Sequence, residues 1–176
     1  AAPLLSGELA CAEVPHLTIS NLVMPMWLHG EPEQAARLHK RGYDMCRENR
    51  DFLAELAEHV DYRLVAGDVE GALEIAERHL DWVQETRSAR RKWRWAATLG
   101  ELFAAIATQR ETIAVRMPRE LGPVGEGPYR VTELSAWFER QADEYAAAFD
   151  ARNLNDSVTV RTQELRQRLR DAQLSM

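Results

Sequence analysis

Isoleucine, lysine and cysteine are all scarce in this 176-residue chain, and each shortage excludes something. There are 4 Ile and 11 Val against 25 Ala and 20 Leu, so good helix formers outnumber β-branched apolar residues three to one. That ratio argues against a β-sandwich or a parallel sheet and for an all-helical domain. Only two cysteines, Cys11 and Cys46, are present. Two neither build a disulfide framework nor supply a zinc site, and a reduced, cytoplasmic setting is the expectation. The longest apolar stretch, Val14 to Leu28, is interrupted by Pro15, His16, Asn21 and Pro25, so no membrane span is expected. Lysine is outnumbered by arginine, 2 to 20, a bias that reads as the codon usage of a GC-rich genome.

What is plentiful is charge, unevenly placed. The net charge is −6, but residues 1–86 carry 16 acidic and 7 basic side chains while residues 87–176 carry 12 and 15. An acidic chain is a poor nucleic-acid binder, because binding by counterion release needs clustered positive charge. The asymmetry suits head-to-tail contacts or an acidic partner. The chain opens Ala-Ala-Pro without an initiator Met, which points to a processed chain or a piece of a larger bacterial protein.

Hydrophobic periodicity predicts about seven helices. The first covers 8–29, bent or interrupted at Pro15 and Pro25, and the second runs from Pro32 to about Arg47. A third spans Asp51 to Ala66, with Phe52, Leu53, Leu56, Val60 and Leu64 at helical spacing. Asp68 N-caps a fourth, to Glu85, and a fifth covers Ala89 to Glu111. Three Pro and three Gly between Thr112 and Arg130 forbid a long helix there, and Ile113, Val115 and Met117 alternate as an extended segment would. A sixth, from Thr132 to about Ala151, has the stripe Leu134, Trp137, Phe138, Ala142, Tyr145, Ala146 and Phe149. Asn155 or Asp156 caps the last, whose stripe is Val158, Thr162, Leu165, Leu169 and Ala172. The expected organisation is one domain: repeats in 1–111, an irregular segment at 112–131, and a C-terminal helical hairpin or cap at 132–176.

The chain also repeats itself. A shift of 37 residues lays Gly30-Glu31-x-Glu33-x-Ala35 on Gly67-Asp68-x-Glu70-x-Ala72, then Arg41 on Arg78, Asp44 on Asp81, Glu48 on Glu85 and Arg50 on Arg87. Seven of 21 positions are identical, and a helix–Gly turn–helix unit of this length signals a solenoid whose units share one core. The segment 16–110 resembles the tetratricopeptide repeat family, on the openings GEPEQAA (30–36) and GDVEGAL (67–73) and on Leu99-Gly100 followed by Phe103. It departs from the family in its spacing, which exceeds roughly 34 residues, and at the later small position, which is Gly42 in one unit but His79 in the next. The resemblance implies a right-handed helical-hairpin solenoid, with an irregular Pro/Gly-rich insertion, whose first helices line a groove. Its register would expose Asn21, Met24 and Trp27, then Ala57 and Asp61, then Arg94.

No catalytic constellation is visible. His16, His29, His39, His59 and His79 form no metal motif; His59 and His79 fall on two helices of one unit and are expected as semi-buried histidines bonded to neighbours such as Asp61 or Tyr62. Gly125-x-Gly127 lacks the Lys-Ser/Thr of a phosphate loop, and Ser6, Ser20 and Ser135 lie in no nucleophile context. No metal or cofactor is expected. The segment 87–94 does stand out, with five basic and no acidic side chains at the start of a helix, where the macrodipole favours negative charge by roughly 0.3–1 kcal/mol per group. The expected function is therefore a non-catalytic module binding another protein or a peptide, an acidic one included, through Asn21, Trp27, Asp61, Arg90, Arg91 and Arg94. A ligand-sensing regulatory domain is the alternative, and an enzyme with 112–130 as a lid a weaker one.

Overall fold

The structure, a computed structural model, describes residues 14–118 and 127–174; Ser6, Cys11, Gly125 and the expected first-helix residues 8–13 lie outside them. Within them the chain is all-α apart from one very short hairpin. Its helices are α1 (Val14–Leu28), α2 (Pro32–Cys46), α3 (Leu53–Val65), α4 (Val69–His79), α5 (Trp82–Glu85), α6 (Ala89–Ala107), α7 (Val131–Asn153) and α8 (Ser157–Leu174), with a 3₁₀ turn at Arg50–Phe52. Strands β1 (Thr112–Ile113) and β2 (Tyr129–Arg130) pair antiparallel, Thr112 opposite Arg130 and Ile113 opposite Tyr129.

The two repeated turns are built alike. Gly30 and Gly67 have φ of +81° and +77°, the left-handed region that only glycine enters freely. Each closes its helix with the same pair of bonds: Gly30 N–H to Trp27 O and Glu31 N–H to Met26 O, then Gly67 N–H to Leu64 O and Asp68 N–H to Arg63 O. This is the Schellman closure. Asp68 then caps α4, its carboxylate accepting from the Gly71 N–H at 2.9 Å. Five residues beyond each glycine, Ala35 and Ala72 are wholly buried. Ion pairs join the two units through residues that are themselves repeated: Arg78 reaches Glu48 at 3.1 Å, and Arg50 pairs with Glu85.

Among the described residues there are eight helices where seven were expected, because the fourth bends after His79. Leu80 and Asp81 stay right-handed helical, but the bonds tighten to Val83 N–H on Leu80 O and Gln84 N–H on Asp81 O, so the chain turns into the separate α5. The fifth predicted helix stops at Ala107 rather than Glu111, since Glu111 O accepts the Val131 N–H and draws the chain into the hairpin. The expected extended segment is present there, with Ile113 and Val115 buried.

Three helix pairs, α1/α2, α3/α4 and α6/α7, make the body, and their first members lie side by side, α1 against α3 and α3 against α6. Helix α3 packs on α1, α2, α4, α6 and α8, which buries most of its residues, the polar His59 and Asp61 included. Phe138 of α7 stacks on Phe103 of α6 with ring centroids 5.6 Å apart. Helix α8 packs on α7 and also across α3 and α6, burying Thr162, Leu165 and Leu169 of its expected stripe. Its cap differs from expectation: Asn155 accepts only from the Ser157 N–H, while the N–H groups of Val158 and Thr159 donate to Asp150, on α7, at 2.8 and 2.9 Å.

Gly67→Ala forces a side chain into the left-handed region and is expected to cost about 1–2 kcal/mol. Gly30→Ala is expected to cost the same, because the turns share their geometry. Urea unfolding with an unchanged m-value measures both.

Candidate functional site

The six residues expected to bind a partner do not share one surface. Asn21 is exposed on α1, and Trp27 is half-buried with its edge on the Tyr62 ring, centroids 5.8 Å apart. Met24, Ala57, Asp61 and Arg94, expected to line a groove, are buried; Asp61 is 0% and Arg94 8% exposed. The cause is the enclosure of α3 between α1 and α6 beneath α8. Arg91 is spent on Asp51, at 2.6 Å. Arg90 is exposed and has no ion-pair partner among the described residues.

Arg94 joins α6 to α3. Its Nε and Nη2 reach Glu58 at 3.1 and 2.9 Å, Nη2 also donates to Asp61, and Nη1 donates to Thr98, whose hydroxyl donates on to Asp61 at 2.9 Å. All three guanidinium nitrogens are therefore used. Burial pushes the Asp61 carboxyl up while Arg94 pulls it back, and the two carboxylates hold Arg94 firmly protonated. A guanidinium so satisfied is a joint within the fold, unavailable to a ligand.

The histidines form a second buried system. The Arg63 Nε–H donates to His39 Nε2 at 3.1 Å, His39 Nδ1 lies 3.1 Å from His59 Nδ1, and His59 Nε2 lies 3.2 Å from Ser20 Oγ, which donates to the His16 carbonyl at 2.8 Å. One set of neutral tautomers satisfies the whole chain. His39 accepts at Nε2, so its hydrogen is on Nδ1 and points at His59 Nδ1, which places the His59 hydrogen on Nε2, toward Ser20. Ser20 thus receives a hydrogen from the imidazole rather than losing one to it, the reverse of an activated nucleophile. The Cys46 thiol, pushed up to about 12 chiefly by burial, is likewise unreactive. His59 and His79, expected to be semi-buried, are wholly buried, and Tyr43 contacts both rings, its hydroxyl 3.3 Å from His79 Nε2. Asp61 and Tyr62 do not serve them in the expected way; Asp61 binds Arg94, and the Tyr62 ring packs against His39. No group of three or more His, Cys, Asp or Glu is placed to hold a metal among the described residues.

Trp27 lines a cleft of about 740 Å³ against α8, with Leu28, Val65 and Arg168, and a second lies at the corner where α6 begins and α7 turns into α8. A cleft of about 520 Å³ there is lined by Arg90, Trp93, Phe149, Val160 and Arg161, with Asp156 and Glu164 also on its wall. Trp93 forms part of it because its indole N–H is held by Thr162 Oγ1 at 2.9 Å. Arg152 stacks over Phe149, 5.3 Å from the ring centre. Arg90, Arg152 and Arg161 are free of carboxylate partners among the described residues, and the first turn of α6 contains no acidic residue. Of the expected site only Arg90 lies here. Arg161 and Phe149 were visible in the sequence only as members of helix faces, with nothing to show that two helices bring them to Arg90.

No protein-family model, no curated protein and no solved structure matches the chain. Among the described residues no helix is long and apolar enough to cross a membrane.

Arg94→Ala leaves Asp61 and Glu58 without their cation and is expected to cost about 3–5 kcal/mol in urea unfolding. The double variant Arg94→Met with Asp61→Leu is expected to lose much less. The histidines set a pH dependence. Burial, then Arg63, lowers His39 to about 4, and burial, then His39 and Arg63, lowers His59 to about 3. Both are neutral in the fold where the unfolded chain begins to protonate, near 6.5. Their contribution is complete above that pH and is lost as pH falls toward 4, at up to about 1.4 kcal/mol per pH unit for each histidine. Unfolding measured from pH 7.5 to 4.5 is expected to show a shallower loss in His59→Gln than in the wild type.

Proposed function

We propose that this chain is a non-catalytic helical-repeat module of tetratricopeptide type that binds an acidic segment of another protein. The side-by-side first helices, the matched left-handed turns at Gly30 and Gly67 and the wholly buried Ala35 and Ala72 support the repeat architecture. The locked, non-activating tautomers at Ser20 supports a binding role over a catalytic one. The setting that goes with it is a cytoplasmic bacterial protein of which this chain is a part.

The observation that carries the proposal is the cleft at the start of α6. Arg90 and Arg161, from α6 and α8, stand over an apolar floor of Trp93 and Phe149, and no fold contact uses their charge. Arginine forks suit carboxylates in two-bond geometry, and the aromatic floor supplies apolar area to the neighbouring side chains. The N-terminal end of α6, capped by Ser88 and with no acidic residue in its first turn, adds a field of the same sign. The binding surface thus moves from the face of the first helices, where Asp61 and Arg94 are consumed, to the corner beside Arg90.

Fluorescence anisotropy of a labelled peptide alternating Glu with Leu, with a Lys-for-Glu counterpart as control, tests this. Only the acidic peptide is expected to bind, more weakly at high salt. Arg90→Glu with Arg161→Glu is expected to weaken it at least tenfold with an unchanged melting temperature. Equal binding of both peptides, or binding indifferent to the double variant, would refute the proposal.

A further inference from the structure

Helix α8 is seated as a ligand would be, on a surface made by other elements. Its inward residues Thr162, Leu165 and Leu169 are buried against the body. Along one flank, Arg170 donates through Nε and Nη2 to the two oxygens of Glu101, at 3.0 and 2.8 Å, and reaches Glu139 at 3.1 Å. Arg166 donates to Asp143 at 2.8 Å and to the Glu139 carbonyl at 3.0 Å. Glu101, on α6, is only 2% exposed, and its ion-pair partners, Arg166 and Arg170, are both on α8. The outward face of α8 is charged and solvated.

The link that ties α8 to its own body is short and strained. Residues 154–156 connect α7 to α8, and Leu154 sits at φ +55°, the one non-glycine residue with positive φ among the described residues. That conformation brings the Cβ of an L residue too close to the following carbonyl oxygen. Leu154 is also 92% exposed, a large apolar group presented to water at the hinge. A short strained hinge beside a self-complementary docked helix is the setting in which two copies exchange an element at little cost, since every contact can be re-formed in trans.

We propose that two copies of this chain exchange α8, each filling the other's surface over α3 and α6. In the exchanged dimer Arg170 of one copy pairs with Glu101 of the other, and Thr162 accepts from the Trp93 of the other. The link from Asn153 to Ser157 spans at most about 14 Å, so the two bodies meet at their hinge corners. There the two Leu154 side chains leave the left-handed conformation and cover one another. The cleft at the start of α6 becomes composite, with Arg90 from one copy and Arg161 from the other.

Two charge-reversed variants test this directly. Glu101→Arg and Arg170→Glu each place like charges across the α8 interface within a single chain. Mixed and refolded together, they form an exchanged heterodimer in which both pairs are opposite in sign: Arg against Glu on one body, the native Glu against Arg on the other. Native mass spectrometry is expected to show the 1:1 heterodimer at concentrations at least tenfold below those at which either variant alone dimerises. A mixture that stays monomeric, or that shows no preference for the heterodimer, overturns the proposal. A wild-type surface with the hinge shortened by deletion of Asn155 and Asp156 gives a second measurement. It cannot close on itself and is expected to be dimeric by light scattering, with helical circular dichroism retained; a folded monomer would equally overturn the exchange.

Discussion

The buried guanidinium of Arg94 is the joint on which the arrangement turns. Helix α3 is enclosed by five other helices, so a fully buried polar side chain on it has to be met by a partner from a neighbour. Asp61 and Glu58 meet Arg94 and Thr98, one turn apart on α6, which fixes α6 against α3 both in height and in rotation. An apolar contact between the same helices permits small slips; a three-nitrogen fork with assigned acceptors does not. The positions of Trp93 and Glu101 on α6, and through them the seat of α8, follow from that register.

A second consequence of enclosing α3 is the histidine chain. His59 leaves α3 toward α1 and α2, where the absence of a side chain at Gly42 gives it room: a Cβ there would stand 2.8 Å from the imidazole. Gly42 thus keeps the small residue expected at that position, and the space it leaves is filled by His59 and Ile19. In the next unit the same position is His79, bonded to Tyr43 instead. The two units keep the same glycine turn while their polar interiors differ.

Much of the fold is legible in the sequence, because turns and helix faces are local. Gly30, Gly67, Asp68, the stripe of α8 and the extended segment around Ile113 announce themselves by residue type and spacing. The candidate site is less legible, for a nameable reason. A cluster of basic residues from Arg87 to Arg94 reads as one surface, yet one helical turn separates Arg94, buried against α3, from Arg90, in solvent, and Arg91 between them is taken by Asp51. Which arginine is spent depends on acids 33 to 40 residues away, and nothing in the local pattern reports them. The capping of α8 by Asp150 was hidden likewise, since it is set by bonds from outside the segment it shapes.

The ion pairs between the first two units have an architectural implication. Arg78 binds Glu48, and Arg50 binds Glu85, while Glu85 and Arg87 occupy in the second unit the places of Glu48 and Arg50 in the first. Each unit therefore carries both the donor and the acceptor half of the same joint, one facing back and one facing forward. A duplicate of residues 51–87 inserted after Arg87 would bring its own Arg78 against Glu85 and its own Glu85 against Arg87. In these two contacts the units behave as couplings of a single gauge, and the length of such an array is set by how many are strung together rather than by any new interface.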